Sequence, residues 1–591
     1  MNILLIGAGG REHALAWKLS NSPRLSKLYA SPGSDAISEL AQCVPLDGLE
    51  ALAAFAERQR IDLTVVGPEA PLVEGIADVF AARGLKLFGP SRAAARLEGS
   101  KVFAKAFMER HGIPTAAHEA FDSVEAAREY AASLTGPCVV KADGLAAGKG
   151  VILCRNDAEA QAALRTVMVE RAFGSAGDRV VIEALLVGEE ASYFAISDGK
   201  DFLAFPSVQD HKPVQDLDRG PNTGGMGAYC PAPVVTPALE RRVQEEIVVP
   251  TLAGMAAEGH PYQGVLYVGL MIEEGVPRVL EYNCRFGDPE CQPLMMMLAS
   301  DIVDVLEAAV QGRISAVRPH WRKGAAACIV MAAGGYPGSY AKGLPIAGLQ
   351  ELRESERCRV FHAGTARENG RWVSSGGRVL GVTAWGEELQ GALDGGYRAV
   401  EEISWQGAIY RKDIGLKGLK RQRGDRPATN VGIVLGSASD LEVARKATEV
   451  LEKLGLGYEL AVASAHRTPQ RTRRFVKACE EAGAEVFIAI AGMAAALPGV
   501  VAAETVKPVI GVPVKSSALE GLDALLSIVQ MPPGVPVATV AVGGGANAAL
   551  LAAQMLSLKY PDVAAAVKEH RLEQALKVED AHREAGLSKL I

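Results

Sequence analysis

Two blocks of alternating apolar strands and helical segments, separated by one basic run, most constrain the fold of this 591-residue chain. Near the N terminus, the patterns of Ile3–Gly7 and Leu63–Gly67 predict strands, and those of Glu12–Leu19 and Val73–Arg83 predict helices. This alternation predicts a parallel sheet that helices cover on both faces. The alternation restarts near the C terminus, where strands are predicted at Val431–Leu435, Leu460–Ala463, Val486–Ala491, Val509–Val514 and Val537–Val542. We therefore expect a multidomain protein of the α/β and α+β classes.

The basic run lies at residues 415–429 and reads GLKGLKRQRGDRPAT. It carries five lysines and arginines, three glycines and one proline, and it has no apolar period. Such a run is typical of a solvated linker, and less often of a nucleic-acid-binding tail. We interpret it as a linker that joins two independent proteins. The predicted domains are an N-terminal α/β domain, a larger mixed domain, a third mixed domain, the linker and a doubly wound domain, at residues 1–100, 101–322, 323–414, 415–428 and 429–591.

The composition excludes several classes of partner. The formal net charge of -7 gives no general surface for a nucleic-acid backbone or an anionic membrane. Long uncharged stretches at residues 486–503 and 524–558 are broken by proline and glycine, whereas a membrane span needs about 20 unbroken apolar residues. Nine cysteines without a CxxC pair, and a start without a basic segment, are typical of a reduced protein that lacks a signal peptide. We expect a cytoplasmic protein.

The first candidate site is the glycine turn between the first predicted strand and helix. The turn reads GAGGREH and offers Gly9, Gly10, Arg11 and Glu12 at the helix N terminus. Free backbone N–H groups and the positive end of the helix dipole suit a phosphate there. A dinucleotide fingerprint would need a third glycine where Glu12 stands. The turn therefore favours a phosphate site over a nicotinamide site, with a tight packing turn as the alternative.

A second glycine cluster, KADGLAAGKG, begins at Lys141, where a predicted strand ends. Small residues allow the backbone to fold closely over a triphosphate, and Lys141 can neutralise it. The spacing does not fit the Walker pattern, and a flexible loop is the alternative. Lys101, in the segment LEGSK, offers another cation, although an exposed surface lysine is the ordinary interpretation.

Two further clusters supply oxygen ligands and a glycine-dense loop. Glu281 and Asn283 lie two residues apart, so in a strand both side chains point to one face. Their carboxylate and amide oxygens suit Mg2+ bound to phosphates, although a surface pair is the alternative. Asp210, in QDHK, precedes the glycine-dense segment that contains Asn222, which reads as a catalytic or lid loop rather than an element interior.

Polar residues also follow the predicted strands of the last domain. Ser437 and Asp440 follow the first strand, and Ser464, His466 and Arg467 follow the second. Open α/β sheets bind ligands at this carboxyl edge. A histidine beside an arginine combines a proton carrier with a phosphate clamp. Simple helix capping is the alternative for Ser437 and Asp440.

Residues 1 to about 420 contain the collinear segments GAGGREHAL, VVGPEAPLVEG, LEGSKVFAKAFM, VVKADGLAAGKGV, QDHK…GPNTGGMGAY and NCRFGDPE. Together they resemble the ATP-grasp enzymes, and among them the phosphoribosylamine–glycine ligase family. The resemblance implies a Rossmann-like N-terminal domain followed by an ATP-grasp domain. It also implies ligation of 5-phosphoribosylamine with glycine through glycyl phosphate, with ATP and Mg2+ (or Mn2+).

The same resemblance implies roles for individual residues. The ATP-binding residues would be Lys101, Lys141, Gly148, Lys149 and Gly150 at the phosphates, Glu183 next to adenine and Glu190 at the ribose. Glu281 and Asn283 would bind the metal, and Arg285 would be catalytic. The residues near glycine or phosphoribosylamine would be Gly9, Gly10, Arg11, Glu12, Asp210 and Asn222.

Residues 429–558 contain a second set of segments, GSASD, SAHRTP, ALPGV, GVPV, LLSIVQMPPGVPVATVAVG and ANAALLAAQML. They resemble the 5-(carboxyamino)imidazole ribonucleotide mutase family, which includes a branch that carboxylates aminoimidazole ribonucleotide directly with carbon dioxide. The resemblance implies a flavodoxin-like doubly wound parallel sheet and a homo-octamer formed through this domain. It also implies a general acid/base at His466, and nucleotide binding at Ser437, Asp440, Ser464 and Arg467.

Two departures leave the second reaction open between mutase and direct carboxylase. Ala496 stands where the family has a histidine, and the glycine loop after Val542 is shorter than usual. The match at Leu497-Pro498-Gly499 favours the mutase. A nucleotide-binding protein that has lost its chemistry is a further alternative, and the presence of Lys141, Glu281, Asn283 and His466 favours an enzyme.

Overall fold

The computed structural model describes residues 1–145, 150–352, 354–422, 426–516 and 519–587. The chain divides into two compact units, Met1–Gly415 and Leu416–Ile591. Gly148 and Lys149, predicted to bind ATP, lie outside the described residues.

The first unit begins with a five-stranded parallel sheet of order β3-β2-β1-β4-β5, which confirms the predicted Rossmann-like domain. Its strands are β1 (Asn2–Gly7), β2 (Lys27–Pro32), β3 (Gln42–Cys43), β4 (Leu63–Val66) and β5 (Leu87–Phe88). Its helices are α1 (Gly10–Ser20), α2 (Leu49–Arg58), α3 (Glu69–Glu74) and α4 (Ile76–Ala82). The single helix predicted at Val73–Arg83 is divided because Gly75, between α3 and α4, has a φ of 101°. The loops after β1 and β4 meet at the carboxyl edge of the sheet.

Two antiparallel four-stranded sheets, β6-β9-β7-β8 and β11-β10-β16-β17, form the middle of the first unit. The strands up to β11 are β6 (His118–Phe121), β7 (Cys138–Ala142), β8 (Val151–Cys154), β9 (Val180–Ala184), β10 (Glu189–Asp198) and β11 (Phe202–Ala204). The next six are β12 (Gln209–Asp210), β13 (Pro213–Gln215), β14 (Arg219–Asn222), β15 (Gly227–Cys230), β16 (Gln263–Glu273) and β17 (Val276–Asn283). The helices are α5 (Arg96–Gly99), α6 (Lys101–Arg110), α7 (Val124–Ser133), α8 (Asp157–Leu164), α9 (Pro237–Val243), α10 (Val249–Ala257), α11 (Cys291–Met297) and α12 (Ile302–Val310).

The last part of the first unit shares a sheet with the middle part. This part contains β18 (Ala325–Ala332), β19 (Cys358–His362), β20 (Thr365–Glu368), β21 (Arg371–Ser374), β22 (Arg378–Gly386) and α13 (Leu389–Glu402). The sheet order is β12-β15-β18-β22-β19, so two strands that precede residue 323 are integral to it. Asp210 on β12 and Arg378 on β22 therefore belong to the same sheet.

The second unit is a parallel sheet of order β24-β23-β25-β26-β27, the doubly wound order of flavodoxin-like folds, as predicted. Its strands are β23 (Val431–Leu435), β24 (Tyr458–Val462), β25 (Val486–Gly492), β26 (Val509–Val514) and β27 (Ala538–Thr539). Its helices are α14 (Leu416–Arg421), α15 (Leu441–Lys453), α16 (Pro469–Glu481), α17 (Leu497–Glu504), α18 (Leu522–Val529), α19 (Gly545–Ser557) and α20 (Pro561–Glu584). Apolar residues of α15 and α19 cover one face of the sheet, and those of α16, α17 and α18 cover the other.

The interpretation of residues 415–428 as a solvated linker is wrong for Leu416–Arg421, which form α14. Leu416 and Leu419, three residues apart, are buried and make an apolar stripe, and α14 packs on α20. Lys420 remains outside and pairs with Glu569 at 2.7 Å. The sequence did not predict this helix, because two leucines in a short segment rich in basic residues are too few to show a helical period.

Arg426 also departs from the linker interpretation, because its side chain is buried. Its Nε lies 3.1 Å from Asp562 Oδ2, and its Nη1 donates to Asn430 Oδ1 at 2.5 Å. Among the described residues, no helix is both long and apolar enough to cross a membrane. All nine cysteines are described, and each is a free thiol.

Candidate active sites

The first candidate site lies between the two antiparallel sheets of the first unit, where lysines from α6, from β7 and from the loop between β12 and β13 converge. Lys101 begins α6, and its Nζ donates to the carbonyl of Gly144 at 3.1 Å. Lys141 on β7 donates to the carbonyl of Leu280 at 3.1 Å. Lys212 Nζ lies 3.7 Å from Glu281 Oε1 on β17.

Local structure explains why Lys101 occupies this place. Ser100 caps α6, since its Oγ accepts from the N–H of Phe103 at 3.1 Å. The same Oγ donates at 2.9 Å to Asp143 Oδ1, which also accepts from the N–H of Val102 at 3.1 Å. The start of α6 is thus tied to the residues that follow β7.

A β-bulge places the carbonyl of Leu280 against Lys141. The register of β16 and β17 shifts between Gly269 and Leu270, so that Leu280 is skipped in the pairing. Glu281 and Asn283 follow on the same strand, and Asn283 is buried. Bulges of this kind redirect groups next to active sites.

The lysines and glutamates in this region interact closely and shift one another's pKa values. Burial opposes the ionisation of Glu281, but the surrounding lysines outweigh it and lower its pKa to about 2. Burial also lowers the pKa of Lys101. For Lys212 burial acts against the charge, but Glu190 and Glu281 outweigh it and raise the pKa well above its usual value. Glu190 Oε2 lies 3.3 Å from Lys212 Nζ.

Glu183, on β9, lies behind this network and is buried. Its carboxylate forms ion pairs with Lys141 and with Lys105 of α6. The predicted neighbour of adenine therefore has both carboxylate oxygens directed at lysines. Sequence reasoning missed Lys105, although its position four residues after Lys101 places both side chains on one face of α6.

The four lysines Lys101, Lys105, Lys141 and Lys212 thus surround the three glutamates Glu183, Glu190 and Glu281. This surplus of positive charge between two sheets suits a polyanion. No cluster of three or more histidine, cysteine or acidic side chains among the described residues could hold a metal. The oxygen pair of Glu281 and Asn283 instead fits a cation that takes most of its ligands from phosphates and water.

Two of the residues predicted to bind substrate at the glycine turn after β1, Arg11 and Glu12, hold the turn in place. The N–H of Gly9 donates to Glu12 Oε2 at 2.6 Å, and Arg11 Nε lies 2.7 Å from Glu12 Oε1. Arg11 also donates to the carbonyl of Phe286 at 2.9 Å. A Cβ on Gly67, after β4, would lie 2.2 Å from Glu12 Oε1. Glu12 therefore fills the space between the two loops and holds the turn.

Arg285 lies beside this turn, partly buried, between two carboxylates. Its Nε lies 3.2 Å from Glu69 Oε2, and its Nη2 lies 2.8 Å from Glu98 Oε1. Burial opposes its charge, but both glutamates outweigh burial and raise the pKa of Arg285. Burial raises the pKa of Glu98, while Arg285 opposes the rise. The guanidinium is thus fixed in place.

Asp210, Asp288 and Arg378 complete the same side of the cleft. Arg378 Nη2 lies 3.2 Å from Asp288 Oδ2, and its Nη1 donates to the carbonyl of Gly225 at 3.3 Å. A Cβ on Gly10 would lie 3.4 Å from Asp288 Oδ1, so the glycine turn faces this carboxylate. Burial, followed by the neighbouring Glu290, raises the pKa of Asp210 well above its usual value.

The glycine-dense segment is more regular than predicted. Asn222 ends β14 and pairs with Pro213 across a short hairpin, and β15 begins at Gly227. A Cβ on Gly225, which has a φ of 112°, would lie 2.6 Å from Asp210 Oδ1. Sequence reasoning excluded element interiors here because it counted glycines. Cross-strand pairing of β14 with β13, and of β15 with β12 and β18, overrides that local preference. It also missed Arg378, whose proximity follows from sheet order and from no local motif.

The second candidate site lies at the carboxyl edge of the parallel sheet in the second unit. The N–H of Ser437 donates to Asp440 Oδ2 at 3.1 Å, and Ser437 Oγ accepts from the N–H of Ser439 at 3.3 Å. Capping is therefore one role of these residues. Burial raises the pKa of Asp440.

The next loop meets the first at this edge. Arg467 Nη2 donates to the carbonyl of Gly436 at 3.4 Å, and Ser464 Oγ accepts from the N–H of Arg467 at 3.2 Å. His466 is exposed next to Arg467. The two loops thus place an accessible imidazole and a guanidinium beside the strand-order switch between β23 and its neighbours.

Two sheets closing on a lysine-lined cleft define the first unit as an ATP-grasp ligase, and the second unit is a flavodoxin-like domain. Family models of phosphoribosylglycinamide synthetase match residues 1–98 (N domain), 99–291 (ATP-grasp (A) domain) and 326–417 (C domain). The AIR carboxylase family model matches residues 430–577. The chain belongs to the phosphoribosylamine–glycine ligase family of purine biosynthesis, and it carries in addition a domain of the AIR carboxylase family.

Relatives and solved structures agree with this assignment. The phosphoribosylamine–glycine ligase of Pseudomonas aeruginosa is 52% identical over 430 residues, which is 72% of this chain and 100% of the relative. That of Agrobacterium fabrum is 51% identical over 425 residues, with 72% and 100% covered. The crystal structure of the Thermotoga maritima ligase matches with a TM-score of 0.61 and 34% identity, covering 70% of this chain and 100% of that one.

A more distant match shows the shared fold alone. The biotin carboxylase domain of Hydrogenobacter thermophilus 2-oxoglutarate carboxylase, solved with MgADP, ADP and bicarbonate, has a TM-score of 0.55 and 18% identity. The match covers 72% of this chain and 94% of that domain.

Proposed function

We propose that the first unit binds MgATP in its lysine cleft and joins glycine to 5-phosphoribosylamine through glycyl phosphate. The observation that carries the proposal is the convergence of Lys101, Lys141 and Lys212 around Glu281 between the two sheets. A free carboxylate is a poor electrophile, so glycine must be activated. Phosphoryl transfer needs positioning and charge neutralisation more than acid–base groups.

In the proposed first step, the glycine carboxylate attacks the terminal phosphorus of ATP and ADP leaves. The amine of phosphoribosylamine then attacks the glycyl carbonyl carbon, phosphate leaves, and the nitrogen loses a proton. Lys101 and Lys141 hold the phosphates, together with Gly148, Lys149 and Gly150. Glu281 and Asn283 hold Mg2+, which neutralises phosphate charge when it is bound.

The remaining predicted residues have supporting roles in this proposal. Arg285, fixed by two carboxylates, presents its charge to the anionic substrates. Gly9 and Gly10 face the acceptor substrate, while Arg11 and Glu12 hold the turn. Asp210 and Asn222 position the glycine-dense segment over the same space, and Glu190 accepts from the ATP ribose.

Glycine-dependent release of ADP from the full chain, with phosphoribosylamine generated in situ, tests this proposal. We expect sustained ADP release over many turnovers only when glycine, phosphoribosylamine and Mg2+ are all present. Release that is indifferent to glycine, or no nucleotide binding at all, would contradict the proposal. Nucleotide binding without any ADP release would favour a binding module without chemistry.

For the second unit we propose conversion of 5-(carboxyamino)imidazole ribonucleotide to 4-carboxy-5-aminoimidazole ribonucleotide. The exposed His466 beside Arg467 supports this reaction. Protonation of the exocyclic nitrogen by His466 releases carbon dioxide, which bonds to the ring carbon, and His466 then removes the ring proton. One imidazole can serve in both directions, as acid and then as base. Arg467, Ser437, Asp440 and Ser464 hold the ribonucleotide.

Direct carboxylation is the second candidate reaction, because Ala496 replaces the usual histidine. Feeding the full chain either the carboxyamino substrate or aminoimidazole ribonucleotide with bicarbonate separates the two. We expect rapid product from the carboxyamino substrate. Rapid product from bicarbonate alone would reverse the assignment.

We also propose that the second unit assembles into an octamer. The side chains of Leu522, Leu526 and Val529 lie along one face of α18 and are between 50% and 53% exposed. Met493, in the loop after β25, is 70% exposed. Exposed apolar patches of this kind mark association sites. Sedimentation velocity of the full chain would show an octamer; a monomer would contradict the proposal. A cytoplasmic location remains a prediction.

A further inference from the structure

A buried chain of three charges links the nucleotide cleft to the interior of the first unit. Glu183 occupies its centre and forms ion pairs with both Lys141 and Lys105. The side chains of all three residues are at most 6% exposed. Nothing in the proposed reaction uses Lys105, so its buried charge needs a different explanation.

The two lysines differ in what lies beyond Glu183. Lys141 also contacts the carbonyl of Leu280, next to Glu281, and therefore borders the cleft. Lys105 Nζ instead donates to Thr115 Oγ1 at 2.7 Å, and that hydroxyl donates to the carbonyl of Val279 at 2.6 Å. Lys105 is thus held by Glu183 and by Thr115, and among the described residues no carbonyl next to Glu281 accepts from it.

A buried carboxylate whose partner is removed is strongly destabilising, because it leaves an uncompensated charge in a medium of low dielectric. If Lys141 were the sole partner of Glu183, every shift of its ammonium towards phosphate would leave Glu183 unpaired. With Lys105 in place, Glu183 keeps one cation throughout. Burial lowers the pKa of Lys105 to about 8, against the opposing effect of Glu183, so Lys105 is mostly charged at neutral pH.

We propose that Lys105 is a positioning residue, the permanent counter-ion of Glu183, which frees Lys141 to bind the nucleotide phosphates. This inference rests on the proposed ATP-binding function of Lys141. It also assigns the Glu183 side chain to lysine positioning rather than to adenine. The structural alternative is that Lys105 merely fills the space between α6 and β9.

The test measures the dissociation constant of MgADP by titration calorimetry on the full chain. For Lys105→Met we expect a rise of roughly tenfold, within the coupling range of neighbours in one salt-bridge network. Adding Glu183→Gln to Lys105→Met should restore most of the affinity, because the carboxylate that retains Lys141 is gone. Lys105→Arg keeps the charge and should bind close to the wild-type chain.

Each result supports or overturns the inference. Wild-type affinity in Lys105→Met, further weakening in the double variant, or a Lys105→Arg variant as weak as Lys105→Met would each overturn it. If Lys105→Met does not fold, as judged by its melting curve, the double variant and Lys105→Arg still decide. A wild-type chain that binds no MgADP would instead refute the proposed function itself.

Discussion

At the scale of single residues, we expect the proposed ligase activity to depend strongly on Lys141. It borders the cleft, and its ammonium is shared between Glu183 and the carbonyl of Leu280. We expect Lys141→Ala to lower glycine-dependent ADP release by at least about 100-fold, the loss typical of a preorganised group at developing charge. Coupled-enzyme kinetics would measure it, and carboxyl transfer by the second unit should be unaffected.

A matched control is Lys200→Ala, at an exposed lysine in the turn between β10 and β11. It removes the same charge from the same unit and should leave ADP release unchanged. Equal losses in both variants would show that net charge, rather than the position of Lys141, governs the activity.

His466 carries the corresponding prediction for the second unit. His466→Asn removes the titrating group but keeps a polar side chain of similar shape. Carboxyl transfer should fall by about 10²–10⁴-fold, the usual contribution of a general acid/base, while equilibrium binding of the ribonucleotide product persists. Retained turnover, followed by absorbance of the product, would remove His466 from the mechanism.

Two neutral histidines make the stability of the first unit depend on pH. Burial, followed by electrostatic repulsion that protonated His13 would meet from His362 and Arg359, lowers the pKa of His13 to about 3. Burial, followed by Arg367, lowers the pKa of His362 to about 4. The unfolded chain takes up protons below about pH 6.5, whereas these buried rings do not. The contribution of these two neutral histidines to the free energy of unfolding is therefore fully present above about pH 6.5. It is lost as the pH falls from there towards their folded-state pKa values of about 3 and 4.

The expected outcome is a melting temperature of the first unit that declines from pH 7 to pH 5. His13 Nδ1 accepts from the N–H of His362 at 2.8 Å, and His13→Asn offers an amide oxygen as acceptor without titrating. Differential scanning calorimetry should show a shallower decline in this variant. If the melting temperature of His13→Asn fell with pH as steeply as that of the wild-type chain, His13 would not be a source of the pH dependence.

At the scale of secondary-structure elements, we expect a substitution in the buried face of α14 to destabilise the second unit, whereas a substitution in a solvated linker would have little effect. Leu419 is 2% exposed, on the face of α14 that packs on α20. Leu419→Asp buries an unpaired charge and should cost about 3 kcal/mol or more. At this domain size that lowers the melting temperature of the second unit by about 6 °C or more.

Lys420→Ala, one residue further, removes only the partly exposed pair with Glu569 and should cost less than about 1 kcal/mol. The two variants are compared by calorimetry on the full chain. Equal effects would mean that α14 does not stabilise the unit through its apolar face.

The elements also show what the sequence could predict. Strand and helix alternation is a local signal, so both parallel sheets were predicted, and Lys101, Lys141 and Glu281 were found because each lies in a recognisable segment. Arg378 and Lys105 were not identified from the sequence, because their roles follow from contacts with residues far away along the chain. The last strand was predicted at Val537–Val542 but is limited to Ala538–Thr539, since the edge of the sheet pairs only there with β26.

At the scale of the whole molecule, the chain divides into two compact units, and we propose a separate reaction for each. Lys141→Ala and His466→Asn test the independence of the units, since each should sharply lower one activity and spare the other. A loss of both activities from either substitution would indicate that the units depend on each other.

The shared sheet of the first unit limits how this gene can be dissected. A fragment that stops at residue 322 would keep β12 and β15 but lose β18, β22 and β19, which complete their sheet. The severed edge would expose unpaired backbone groups and buried apolar side chains, the usual origin of insoluble protein. Residues 1–415 should therefore be kept together in any shortened or recombined form of the ligase.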